Sequence, residues 1–124
     1  MHEIIHRHTK SFGHAWEGVL FAFRTQPNFV IHVFLSLLAV TSGLALHVSV
    51  GEMLVIVVVI VGGLSFELVN TAIEATCDAI DTQHRDEIKI AKDSAASAML
   101  VYALGALVVA GIIFIPRIIL LLGF

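Results

Sequence analysis

The sequence predicts an all-α membrane protein: three spanning helices preceded by an N-terminal amphipathic surface helix. Composition is the first reason. Of 124 residues 58% are hydrophobic and 14% charged, with a mean hydropathy of +0.96. A soluble domain this small has too much surface for its volume to hide that apolar content, so the bilayer takes the place of a core. The second reason is three long apolar runs separated by short polar stretches. The third is the basic residues: in a three-span arrangement Arg7, Lys10, Arg24, Arg85, Lys89 and Lys92 fall on one side and only Arg117 on the other. The positive-inside rule then puts the N-terminus and the second loop in the cytoplasm.

The same figures bound the function. One domain over 1–124 is the natural count, and a polar site with several groups needs more walls than three helices supply, so self-association is expected. A net charge of −3 points to no nucleic-acid partner. Cys77 is the single cysteine, which excludes an internal disulfide and a cysteine metal cage. No apolar core of signal-peptide type stands at the N-terminus, so no cleaved targeting segment is expected.

The surface helix is expected over about 3–25. On a helical wheel Phe12, Trp16, Val19, Leu20 and Phe23 share one side and Arg7, Lys10, His14 and Glu17 the other, the pattern of a helix lying in the membrane interface. Phe21 falls on the polar side and suits a partner helix. Thr25-Gln26-Pro27-Asn28 breaks the helix. The first span, about 28–47, is apolar apart from His32, Ser36, Thr41 and Ser42; His32 and His47 read as interface or packing residues. The run that begins at Met53 meets Glu67 before it is long enough to span, so the second helix must continue to about Asp78, giving 52–78. The third span, about 94–115, stops at Pro116-Arg117. The charged stretch 79–94 lies between these two spans.

Glu67, Asn70, Glu74 and Asp78 carry the chemistry. Spaced by three, four and four, they fall within roughly 80° of one another at about 100° per residue, one stripe down a helix. An ionised carboxylate facing hydrocarbon costs several kcal/mol or more, so the stripe must face helices, water or a cation. Like charges one turn apart need something positive between them. A structural seam neutralised by Lys92 or Arg85 is one answer; a Mg²⁺ ion held by carboxylate oxygens and phosphates is the other. Lys92 and Asp93 open the third helix on the same side, where Asp93 also suits a helix N-terminus and Lys92 a solvated interfacial lysine. The sequence has no Walker pattern and no Gly-x-Gly-x-x-Gly. His2, His6 and His8 could suggest a transition metal, but a polar interfacial segment explains them equally well. The small residues 95–98 suit close helix packing.

The run from Glu67 through Asn70 to Glu74 and Ala75, then Asp78 and Ala91-Lys92-Asp93-Ser94-Ala95-Ala96, resembles the small bacterial membrane kinases of the diacylglycerol kinase and undecaprenol kinase family. The likeness takes in 12–18 and Asn28-Phe29-Val30-Ile31-His32 and covers nearly the whole chain. It implies a homotrimer in the bacterial inner (cytoplasmic) membrane. It also implies composite sites at the cytoplasmic interface, and ATP- and Mg²⁺-dependent phosphorylation of a lipid alcohol, undecaprenol ahead of diacylglycerol. By position, Glu67 matches the general base for the lipid hydroxyl and Glu74 a ligand of the nucleotide's Mg²⁺. Asn70 and Asp78 match polar site residues, Lys92 and Asp93 the pair near the phosphates, Lys10 a basic residue near the γ-phosphate and Arg7 one at the site mouth. Three positions depart from the family. Gln26 stands where many members have a second metal-binding glutamate, Val30 where arginine is common, and Arg85 where histidine often lies near the adenine.

Two readings from other classes compete. A small proton or cation conductor could use Glu67 and Glu74 as carriers, but the outer halves of the spans offer only Ser, Thr and His47. A non-catalytic assembly partner gives no reason to concentrate three acids on one stripe.

Overall fold

The structure is a computed structural model that describes residues 1–81, 83 and 85–123; the side chains of 2–5 and 7 lie outside the described set. It is all-helical: α1 His2–Thr25, α2 Pro27–Ala45, α3 Val50–Ile80 and α4 Asp86–Leu121. The last three are long and apolar enough to cross a membrane, so the fold is the expected surface helix plus three candidate spans.

Each break has a local cause. Gln26 is extended between α1 and α2 because Pro27, the first residue of α2, disfavours helical backbone before it. The rings of Phe23 and Phe29 meet edge-on at 6.5 Å across that corner, over the fully buried Ala22. Ser49 starts α3 with a capping box: its backbone N–H donates to Glu52 Oε2 at 2.7 Å, and its Oγ accepts from Glu52 N at 3.3 Å. Helix α3 stops at Asp81, which is extended.

Helix α3 is antiparallel to α4, because ion pairs join them at both ends. Arg117 near the end of α4 donates to both carboxylate oxygens of Glu52 at the start of α3, at 2.9 and 2.7 Å. Lys92 near the start of α4 donates to Asp78 near the end of α3 at 2.5 Å. Between these ends Tyr102 lies against Gly62 and Gly63, with its hydroxyl bonded to the Val59 carbonyl and its ring 5.2 Å from that of Phe66. A Cβ on Gly62 would sit 2.2 Å from the Tyr102 hydroxyl, so this close approach requires glycine. Helix α2 packs on α3, and α1 packs on both.

The helices outrun the expected apolar spans. At 1.5 Å per residue the 31 residues of α3 and 36 of α4 cover roughly 46 and 54 Å, against a hydrocarbon core of roughly 30 Å. Most of the stretch expected as a charged loop is helix: Asp86 and Glu87 occupy the first turn of α4, where acids suit the helix dipole, and Lys89 pairs with Asp93 one turn on. At the other end α4 continues through Pro116 to Leu121. Arg117 Nη1 bonds the Ile113 carbonyl at 2.7 Å, satisfying an acceptor at the turn that proline disturbs.

Candidate active site

The stripe on α3 runs from a sealed end to an open one. Glu67 is 1% exposed and Asn70 7%; Glu74 is half-buried and Asp78 exposed. Asn70 Nδ2 donates to Glu74 Oε1 at 3.0 Å, one turn along the helix. That bond orients the amide so that Asn70 Oδ1 points away from Glu74. Among the described residues neither Asn70 Oδ1 nor Glu67 Oε1 has a hydrogen-bond partner. Thr71, also buried, turns its hydroxyl to the Glu67 carbonyl at 2.9 Å and so spends its polarity on the backbone. Buried polar oxygens are ordinarily bonded, and these two sit on adjacent turns of α3.

The cations sit at the open end. Lys92, below the apolar part of α4, is tied to Asp78, and that hydrogen bond raises its pKa above the ordinary lysine value, keeping the ammonium charged. Lys89 rather than Lys92 pairs with Asp93. Asp93 therefore lies inside the helix and not at its N-terminus, because α4 begins at Asp86. Arg85 lies 3.8 Å from Asp81 beside the α3–α4 turn. The seam reading is thus met at Asp78 only; Lys92 compensates that acid, while Glu67 and Glu74 have no cationic ion-pair partner among the described residues.

Three expected residues stand apart from this cluster within one chain. Lys10 is exposed on α1, and Gln26 is half-buried at the α1–α2 break, where its backbone carbonyl accepts from Phe29 N at 3.1 Å. Among the described residues no hydrogen bond or ion pair joins the side chains of Lys10, Gln26 or Arg85 to the stripe. Arg7 belongs to α1, but its side chain lies outside the described residues. The sequence reads His32 as an interface or packing residue, and the structure puts it against α3: its Nδ1 is 3.9 Å from where a Cβ on Gly63 would be. The capping signal Ser49-x-x-Glu52 was also readable, but the partnership of Glu52 with Arg117 across 65 residues was not.

The donor set suits Mg²⁺. Every side-chain oxygen free to ligate on the stripe is a carboxylate or amide oxygen, the hard donors this ion prefers, and Mg²⁺ is usually held by one or two carboxylates with phosphates completing its shell. Among the described residues no three His, Cys, Asp or Glu side chains gather around one point.

Comparison with known proteins bears on this arrangement. The sequence profile of the prokaryotic diacylglycerol kinases matches residues 13–114. The undecaprenol kinase of Bacillus subtilis is 37% identical over 113 residues, covering 91% of this chain and 92% of that protein. A diacylglycerol kinase of Synechocystis sp. is 39% identical over 107 residues, covering 86% of this chain and 61% of that longer protein. A diacylglycerol kinase of Pseudomonas aeruginosa is 35% identical over 89 residues, 72% of each chain.

Proposed function

The chain belongs to the prokaryotic diacylglycerol kinase family and is a lipid kinase, and on that premise we propose that it transfers the γ-phosphoryl group of ATP to a membrane lipid alcohol, undecaprenol ahead of diacylglycerol. The observation that carries the site assignment is the buried Glu67 carboxylate with an unpartnered oxygen, above a half-buried Glu74 and a charged Lys92. The preference for undecaprenol is supported by the end-to-end match to a kinase named for that lipid.

Phosphoryl transfer needs alignment and charge stabilisation more than covalent chemistry. Glu67 takes the proton from the lipid hydroxyl as the general base. The lipid oxygen forms its bond to the γ-phosphorus, and the bond from that phosphorus to the bridging oxygen breaks, leaving the electron pair on ADP. Glu74, with the Gln26 amide oxygen, would hold the nucleotide's Mg²⁺, which when bound neutralises charge on the phosphates. Lys92 and Asp93 line the phosphate region, with Asn70 fixing the Glu74 carboxylate through its amide. Lys10 reaches the γ-phosphate from α1, Arg7 guards the site mouth, and Asp78 and Arg85 border the nucleotide. Lys92 meets the stripe within one chain, and the α1 groups meet it in composite sites between subunits of a homotrimer. The site faces the cytoplasm, where ATP is available, and the chain resides in the bacterial inner membrane.

Phosphate transfer from labelled ATP, measured in detergent micelles with Mg²⁺ and equal mole fractions of undecaprenol or a diacylglycerol, tests the acceptor. Faster labelling of undecaprenol is expected. Labelling of diacylglycerol alone overturns the preference, and labelling of neither by folded protein moves the acceptor outside both.

A further inference from the structure

The buried end of the stripe is bordered by one side chain with no place in the chemistry above. His32, on α2, lines the inner end of an apolar groove of about 530 Å³ that α2 and α4 leave over α3. Gly63 lets its ring approach: Nδ1 lies 3.9 Å from a Cβ built there, where the Tyr102 ring also comes close. Glu67 is one turn further along the same face of α3. Among the described residues, His32 from α2 and Glu74 from α3 itself are the titratable side chains that bear on the Glu67 charge. Glu74 repels it, whereas an imidazole can donate to it. Tyr102, from α4, already gives its hydroxyl hydrogen to the Val59 carbonyl. Among the described residues the Glu67 oxygen has no hydrogen-bond partner, and the His32 ring lies against α3 one turn away.

We propose that His32 is a positioning residue for Glu67: a ring N–H of His32 holds one carboxylate oxygen, leaving the other aimed at the lipid hydroxyl. A carboxylate free to rotate about its last torsion presents either oxygen to either neighbour. A donor on a separate helix fixes which oxygen faces the acceptor, as outer partners do for other reactive ligands. His32 keeps its hydrogen throughout, and the lipid proton still passes to Glu67. This inference rests on Glu67 being the base.

The test is steady-state kinetics on full-length His32→Leu, His32→Gln and Glu67→Gln, and on the double variant His32→Leu/Glu67→Gln, in lipid–detergent micelles. His32→Leu should lower kcat by roughly tenfold or more, in line with loss of an outer partner, with the KM for ATP and lipid little changed. His32→Gln, whose amide retains a donor, should recover part of that loss. Adding His32→Leu to Glu67→Gln should change nothing further, because a residue acting through Glu67 has no effect once the carboxylate is gone. Equal losses in the Leu and Gln variants, an effect confined to KM, or additive losses in the double variant would each overturn the inference. If Glu67→Gln alone retains full turnover, it is the base assignment that fails. If His32→Leu does not fold, the comparison of His32→Gln with the shorter His32→Asn decides: the proposal requires Asn to be the poorer.

Discussion

Glu67 and Glu74 are two helical turns apart on α3 and meet opposite surroundings. Glu67 is sealed, with one oxygen unpartnered, while Glu74 is half-buried and already accepts a hydrogen bond from Asn70. A sealed carboxylate suits proton transfer, and a partly open, oriented one suits a hydrated cation. Glu74→Gln should therefore raise the Mg²⁺ concentration needed for half-maximal activity. Gln26→Glu should lower it, since a second carboxylate adds charge to the ion's shell. Activity titrated against Mg²⁺ checks both, and unchanged half-saturation in both variants would remove these residues from the metal. The acidic stripe was legible in the sequence because its spacing follows the helical period. That His32 lies against Gly63 was not, because periodicity reports the face of one helix and says nothing of what the neighbouring helix presents to it.

At the scale of helices, the packing of α3 on α4 depends on Tyr102 lying over Gly62. Alanine at Gly62 would gain about 1 kcal/mol of helix propensity. Its Cβ, however, would stand 2.2 Å from the Tyr102 hydroxyl and 2.8 Å from the adjoining ring carbon. The ring must swing away and lose its bond to Val59, and overpacking of this kind costs about 1–3 kcal/mol. Gly62→Ala should therefore lower the thermal unfolding midpoint in detergent. Gly63→Ala, whose Cβ would meet the ring at 3.2 Å, should lower it less. A midpoint raised by Gly62→Ala would contradict this packing. The existence and order of the four helices could be read from hydropathy and from Pro27. The helical continuation through Asp86–Ser94 and past Pro116 could not, because apolar patterning is silent about side-chain contacts such as Lys89–Asp93 and Arg117 to the Ile113 carbonyl that accompany it.

Over the whole molecule, apolar side chains cover the outside: Leu37, Val58, Leu107 and Ile112 are each more than half exposed, which suits contact with lipid. The ends of the bundle differ. One carries the stripe, Lys89 and Lys92; the other carries the Glu52–Arg117 pair. With the stripe in the cytoplasm, a cysteine at Gln83 should react with a membrane-impermeant maleimide only after cells are permeabilised, and one at His47 should react in intact cells. Cys77→Ser would serve as the background. The reverse pattern would invert the topology and separate the site from ATP. The flank of the stripe that carries Asp78, Lys89 and Asp93 is open in one chain, each of the three being more than half exposed, which leaves room there for the second subunit of the proposed homotrimer.

The most direct measurement is label transfer from ATP to lipid by the wild type and by Glu67→Gln, with nucleotide binding followed in the same preparations. Removing a general base should cut turnover on the order of 10²-fold or more while Mg²⁺–ATP binds as before. Full turnover in Glu67→Gln, with nucleotide binding lost in Glu74→Gln, would leave the nucleotide site standing and contradict the assignment of the buried carboxylate as the base.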